Sequence, residues 1–160
     1  MHQSDFEAVM ALQSLCYFDG LPESRESLFA KFVVSPSSCF VATQDARLAA
    51  YLFAIPWNIS APPDLNSQHC DLPDLLDCMY LHDLAIAPFA RGQHLGSRMF
   101  KHLLGHLPRY GFNQLSLVAV QGSTGFWKNQ GFIAVKGNAS LSKKLETYGG
   151  SAVFMIRTNI

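Results

Sequence analysis

Leu84-Ala85-Ile86-Ala87-Pro88-Phe89-Ala90-Arg91-Gly92-Gln93-His94-Leu95-Gly96 is the stretch on which the reading of the fold turns. It begins as the end of an apolar strand and breaks at Pro88, which has no N–H to give to a ladder. A basic, glycine-containing loop follows and runs into a strong helix. The start of a helix leaves four backbone N–H groups without intrahelical partners, and the macrodipole places partial positive charge there. Such an end can take up a phosphate directly. Gly92 and Gly96 let the backbone come close to a diphosphate, and Arg91 adds a fixed positive charge. The spacing is neither a P-loop nor a dinucleotide fingerprint, since G-x-x-x-x-G-K-[ST] and G-x-G-x-x-G are both absent. An ordinary strand-to-helix turn has the same local grammar, so both readings stand at this point.

Working outward, Cys78 to Ala87 is a nearly continuous apolar run, which predicts a strand buried on both faces. Leu95 to Leu107 carries Leu95, Met99, Phe100, Leu103, Leu104 and Leu107 at helical spacing, and Pro108 and Gly111 end it. Gln114–Val120 reads as the next strand. Ser123 is placed to cap a short helix from Thr124 to Gln130, which Gly131 closes. Phe132–Val135 and Ala152–Thr158 are the last strands, joined by a polar loop holding Tyr148, Gly149 and Gly150. Upstream, Asp5–Tyr17 is an amphipathic helix, with Ser4 and Glu7 in a capping-box pattern. Asp19-Gly20-Leu21-Pro22 signals a turn, and Ser24–Phe32 a second short helix. Cys39–Thr43 and Leu48–Ile55 form a hairpin. Pro56 to Asp77 is a long irregular excursion with a helical turn at Leu72–Leu76. The whole is one domain, residues 1–160, in a mixed α/β order.

The chain has 160 residues, of which 49% are hydrophobic and 15% charged, with 12 basic and 12 acidic side chains. At that length roughly 68–70% of the unfolded surface can be buried. Zero net charge excludes a general nucleic-acid binder, which would carry a basic excess. No apolar run reaches the ~18 residues of a membrane span, and no signal-peptide pattern opens the chain. Cys16, Cys39, Cys70 and Cys78 are scattered without a C-x-x-C pair, which reads as reduced thiols in the cytoplasm. His69, Cys70, Cys78 and His82 fit no familiar zinc spacing, so no metal is expected. The neutral sum hides a split. Leu48 to Ala90 holds five acids (Asp64, Asp71, Asp74, Asp77, Asp83) and no base, while Leu84 to Leu145 holds eight bases and no acid. Folding can intermix the two sets, or they can face one site that takes an anionic cofactor and an amine. Sparse charge leaves apolar surface compatible with a homodimer.

Arg91-Gly92-Gln93-His94-Leu95-Gly96 resembles the [Q/R]-x-x-G-x-[G/A] loop of the GCN5-related N-acetyltransferases (GNAT). Phe126-Trp127-Lys128-Asn129-Gln130-Gly131-Phe132 is similar to that family's later F-Y-x-x-x-G-F segment. The resemblance is strong over about residues 78–135 and looser before residue 55. It implies a mixed, mostly antiparallel central sheet flanked by helices, with splayed central strands, and acetyl-CoA as co-substrate. It also implies cofactor contacts from Leu84, Ala85, Ile86, Arg91, Gly92, Gln93, His94, Leu95, Gly96, Ser97, Gln121, Ser123 and Phe126, with the strand amides near Ala85–Ile86 freed by a bulge. The sequence departs twice. His94 stands where the loop's first glycine is usual, and Trp127 stands where the family often has an acidic tyrosine, a role that indole N–H cannot fill.

Acetyl transfer to an amine needs a proton acceptor, an oxyanion donor and a route for the thiol proton. Leu81-His82-Asp83-Leu84-Ala85-Ile86 resembles the L-H-A-L-A-V strand of arylalkylamine N-acetyltransferases, in which the matching histidine belongs to a water-linked proton relay. His82 is therefore the first catalytic candidate, its ordinary pKa near 6.5 suiting the task. Tyr80 and Tyr148 are candidate acids, and unassisted departure of the thiolate is the alternative. Strand alternation places Tyr80, His82 and Leu84 on one face and Asp83 on the other, away from substrate. Tyr17, Phe18 and Trp57 are candidates for an apolar wall, and the acids of the excursion for attracting a cation. The resulting expectation is a cytoplasmic N-acetyltransferase acting on a small-molecule amine. A protein or peptide N-acetyltransferase and a non-catalytic acyl-CoA sensor are the alternatives.

Overall fold

A computed structural model describes residues 1–17, 22–136 and 139–158. Phe18 and the turn at Asp19–Leu21 lie outside the described residues. The elements are α1 (Phe6–Cys16), α2 (Arg25–Val34), β1 (Phe40–Gln44), β2 (Arg47–Trp57), β3 (Cys78–Ile86), α3 (Leu95–His106), β4 (Gln114–Ala119), α4 (Thr124–Asn129), β5 (Ile133–Ala134), α5 (Ala139–Glu146) and β6 (Val153–Thr158). The strands form one sheet in the order β1-β2-β3-β4-β6-β5. Every pairing is antiparallel except β3 with β4.

Each face of the sheet carries its own core. On one face Phe6, Val9 and Leu12 of α1 and Leu28 of α2 pack against Tyr51, Phe53 and Ala85. Phe6 sits at the centre, edge-on to Phe29, Phe32 and Phe53. On the other face Met99, Phe100 and Leu103 of α3 pack against Leu52, Ala54, Met79, Leu81 and Leu117. A third cluster joins Ile55, Tyr80, Leu141 and Phe154. β3 thus meets apolar side chains on both faces, as its continuous run predicts.

One irregularity decides what β3 presents. Its register with β2 pairs Phe53 with Asp83 and Ala54 with Leu81, so His82 is an extra residue, a β-bulge. The bulge reverses the alternation expected beyond it. Leu81 and Leu84 both pack toward α3. His82 and Asp83 both turn toward α1 and α2, where they meet Glu23 and Tyr51. The expected placement of Leu84 with His82, and of Asp83 opposite them, is thereby corrected.

Local signals fared unevenly. Ser24 Oγ accepts the Ser27 amide at 3.1 Å and caps α2. The expected capping box of Ser4 and Glu7 is replaced by one a turn earlier, where the His2 amide donates to Asp5 Oδ2 at 2.6 Å. Ser123 precedes α4 but makes no side-chain cap. No helical turn forms at Leu72–Leu76, where Pro73 removes a donor and biases Leu72 away from helical dihedrals. α5 forms where the sequence predicts a polar loop, since its eight residues offer only Leu141 and Leu145 at helical spacing. Among the described residues no helix is long and apolar enough to cross a membrane.

The β1–β2 turn is tight, with Asp45 at φ 50° and Ala46 at φ 60°. Two left-handed residues in succession suit the twist of a hairpin, yet alanine gains nothing from that region. Ala46→Gly is expected to stabilise the fold by about 1 kcal/mol, read as a rise in the urea midpoint with unchanged slope.

Candidate active site

β3 and β4 are paired only through Met79–Leu81 and Leu115–Leu117. Beyond that point they part, and a cavity of about 730 Å³ fills the gap. Its walls come from β3, β4, the loop before α3, the start of α3, and α4. Of the residues expected at the cofactor, Leu84, Ala85, Ile86, Arg91, Gly92, His94, Leu95, Gly96, Ser97, Gln121, Ser123 and Phe126 line it. Gln93 does not; its side-chain amide donates to Phe89 O at 3.3 Å.

The edge of β3 facing the gap carries unpaired groups. Ala87 N donates to Ala49 O at 2.8 Å, so the amides of Leu84 and Ile86, alternate along the strand, point away from β2. The bulge that frees this edge lies at His82, not at Ala85–Ile86, whose pairs with Tyr51 and Ala50 are regular. Gly92 at φ 77° and His94 at φ 56° wind the loop into the first turn of α3. His94 therefore holds the left-handed conformation that the usual glycine would take without strain. Gly96 answers to a different demand, since a Cβ there would lie 3.3 Å from the Phe126 ring. Arg91 folds back, its Nε donating to Ile86 O at 3.2 Å and its terminal nitrogen lying 3.7 Å from Cys16 Sγ.

The titratable groups gather where β3 meets the end of α1 and the residues ahead of α2. The His82 side chain is 1% exposed, and its Nε2 bonds Glu23 Oε1. Its Nδ1 is buried without a partner. The other oxygen of Glu23 accepts from Lys31 Nζ at 2.9 Å, Ser27 Oγ at 2.7 Å and the Asn66 amide at 2.8 Å. The backbone of Glu23 is clamped on both sides by the Gln13 side chain at 2.9 Å. Burial alone would raise the Glu23 pKa. The charge and hydrogen bond of His82, then Lys31 and Ser27, outweigh it and hold the carboxyl far below its ordinary 4.5.

Asp83, beside His82, also lines the cavity. It accepts from Tyr51 OH at 2.7 Å and from Tyr17 OH. Burial pushes its pKa up to about 6, against the lowering by the two tyrosine hydrogen bonds. Tyr17 lines the cavity too, whereas Trp57 anchors the excursion by donating to Ala61 O at 3.0 Å. The two candidate acids lie elsewhere. Tyr80 sits in the third apolar cluster, and Tyr148 donates to Pro63 O at 2.7 Å. Burial drives both phenols well above 10. Trp127 does line the cavity, wedged among Phe100, Phe126 and Phe132. Among the described residues no three His, Cys, Asp or Glu side chains gather as a metal site would.

Sequence reasoning missed Glu23, Lys31 and Tyr51. The available signal was Lys31, three residues after Leu28 and hence on the buried face of its helix. A lysine there requires a buried anion.

Strands that part over a cavity lined by helix-start backbone and buried titratable groups are what the family assignment explains: the chain is an acyl-CoA-dependent acyltransferase. The chain belongs to the acetyltransferase (GNAT) family, whose model matches residues 6–132. Its fold is similar to that of the GphF GNAT-like decarboxylase in complex with isobutyryl-CoA, with TM-score 0.81 and 18% identity over 100% of this chain and 97% of that one. It is also similar to the paia N-acetyltransferase from Thermoplasma acidophilum in complex with coenzyme A, with TM-score 0.69 and 16% identity over 99% and 95%. The ribosomal-protein-S18-alanine N-acetyltransferase from Escherichia coli matches at TM-score 0.66 and 16% identity over 99% and 90%. No curated protein sequence matches the chain.

Glu23→Gln leaves Lys31 buried without its anion, and a loss of about 3–5 kcal/mol is expected. Because Glu23 is held below its ordinary value, its contribution is present above pH 4.5 and lost as pH falls toward the folded-state value. Denaturant melts of the two proteins should therefore converge as pH drops below 4.5.

Proposed function

We propose that the protein transfers the acetyl group of acetyl-CoA to a primary amine of a small molecule, by direct attack of the amine, in the cytoplasm. The observation that carries this reading is one cavity whose lining joins the start of α3 to His82, Asp83 and Tyr17. Unpaired amides at the start of α3 and the turns at Gly92 and His94 suit the diphosphate of the cofactor. The amides of Leu84 and Ile86 suit the developing oxyanion. The acidic end, at His82, Asp83 and Tyr17, is the place for a cation.

In this reading the proton lost by the attacking nitrogen leaves by way of His82. Glu23 fixes Nε2 of that ring, so the proton enters at Nδ1 through a bridging water. The thiolate departs without help from Tyr80 or Tyr148, which stand outside the cavity. A thiol pKa near 8.5 makes it a tolerable leaving group. Trp127 supports a second reading, an acyl-CoA sensor that does not turn over, since it fills the usual place of the acid with a group that cannot give up a proton.

Acetyl-CoA at a hundredfold excess over its Kd should stabilise the native state by about 2.7 kcal/mol, seen as a raised Tm. Thiol release on a panel of small amines separates the enzyme from the sensor, and from acyl-CoA decarboxylation, which frees no thiol. A peptide panel run alongside separates small-molecule from peptide acceptors.

His82→Ala should lower kcat by 10²–10⁴-fold and leave coenzyme A affinity intact. An unchanged kcat would make His82 a purely structural member of the Glu23 network.

A further inference from the structure

Two buried carboxylates, Asp83 in the cavity wall and Glu23 behind it, are treated differently. Glu23 has Lys31 as a counter-ion, and also His82, Ser27 and the Asn66 amide. Asp83 has two neutral phenols, Tyr51 and Tyr17. No lysine or arginine lies within ion-pair distance of Asp83 among the described residues. Arg91, which also lines the cavity, is engaged with Ile86 O and Cys16. His82 is adjacent in sequence, but its Nε2 belongs to Glu23.

A buried carboxylate without a cation is costly, and its two oxygens have room for about four donors. Two of those places are filled. Asp83 nevertheless lines the cavity, and it does so because the bulge at His82 turned it there. The hydroxyl of Tyr17 also lies 3.4 Å from Leu84 O, beside the strand edge that faces the gap. The vacant side of the carboxylate and the acyl-transfer edge are therefore neighbours.

We propose that Asp83, framed by Tyr17 and Tyr51, is the acceptor anchor: it binds the ammonium group of an aliphatic primary amine and so selects alkylamines over neutral arylamines. This deepens the amine-acetylation reading and rests on it. The incoming ammonium supplies both the missing counter-ion and the missing donors. Tyr51, fully buried behind the wall, holds the carboxylate in place, and Tyr17, which lines the cavity, presents ring surface to the carbon next to nitrogen.

The groups that face Asp83 are Cys16 at the end of α1, Tyr17 just after it, Tyr51 from β2, His82 beside it and Glu23 ahead of α2. With its pKa near 6, the anchor is charged at neutral pH and is lost as pH falls through that value. The Asp83→Asn protein is the necessary reference for any pH profile, because His82 lies beside the carboxylate in the chain.

The test compares cyclohexylamine, cationic near neutral pH, with aniline, of like size and neutral. In the wild type saturated with coenzyme A, calorimetry should detect cyclohexylamine, and its affinity should fall as pH is lowered through about 6. Asp83→Asn should abolish that pH dependence and weaken cyclohexylamine by about 10- to 100-fold. In thiol-release assays the ratio of KM for cyclohexylamine to KM for aniline should rise by the same factor. Tyr17→Phe should move the ratio in the same direction by a smaller factor. An unchanged ratio in Asp83→Asn, or wild-type binding of cyclohexylamine no tighter than aniline, overturns the anchor. Calorimetry decides this even if no thiol is released from either amine, an outcome that counts against the acetyltransferase reading and not against the anchor.

Discussion

The single inserted residue at His82 organises the site. A regular β3 would alternate its side chains, sending Asp83 into the core beneath α3 and leaving the His82 backbone in the ladder. With two residues of β3 opposite one of β2, His82 and Asp83 face the same helices, and Leu84 returns to the α3 core. A bulge leaves its extra residue unpaired and increases the local twist. The parting of β3 from β4 immediately beyond Leu81 is consistent with that added twist. Cavity, free amides and titratable groups thus share one geometric cause.

The bulge in turn needs a partner that accepts a buried imidazole, and Glu23 provides it. Four segments meet on this residue: α1 through Gln13, α2 through Ser27 and Lys31, the excursion through Asn66, and β3 through His82. A buried ion pair is weak evidence for stability in itself, because desolvation offsets attraction. Its stronger consequence is specificity of arrangement. The excursion between β2 and β3 has no regular structure of its own, so its docking against α2 depends on such contacts, together with Asn66 Oδ1 accepting from Ser24 N at 2.7 Å and the Tyr148–Pro63 bond. The Lys144–Asp64 pair adds little, since Asp64 is 80% exposed and water screens it.

Most of the fold was legible because its signals are local or periodic. The apolar run of β3, the stripe of α3 and the Pro88 break each report one element, and the Arg91–Gly96 loop reports a turn that lines the cavity. The parity of Asp83 was not legible, because a bulge is a relation between two strands: Phe53 and Ala54 decide it as much as His82 does. α5 was missed because its two leucines signal only once Tyr80 and Phe154 give them something to cover. The loop pattern around Gly96 predicts clearance for a diphosphate, whereas the nearest atoms to its absent Cβ belong to Phe126, thirty positions along the chain.

Trp127 bears on how the reaction is completed. It occupies the cavity wall with three aromatic neighbours, so it is rigid and apolar, and it brings no proton. The hydroxyls that do line the cavity are committed elsewhere in part: Ser97 accepts from Gln130 at 3.1 Å, and Tyr17 is bound to Asp83. A site without a dedicated acid is still workable for a thioester, because the attacking nitrogen carries more protons than the amide retains. The proton shed as the tetrahedral intermediate collapses can go to sulfur, whose pKa near 8.5 makes it an adequate acceptor. What the protein must then supply is removal of the first proton and alignment of the nitrogen, the tasks that the proposals above give to His82 and Asp83.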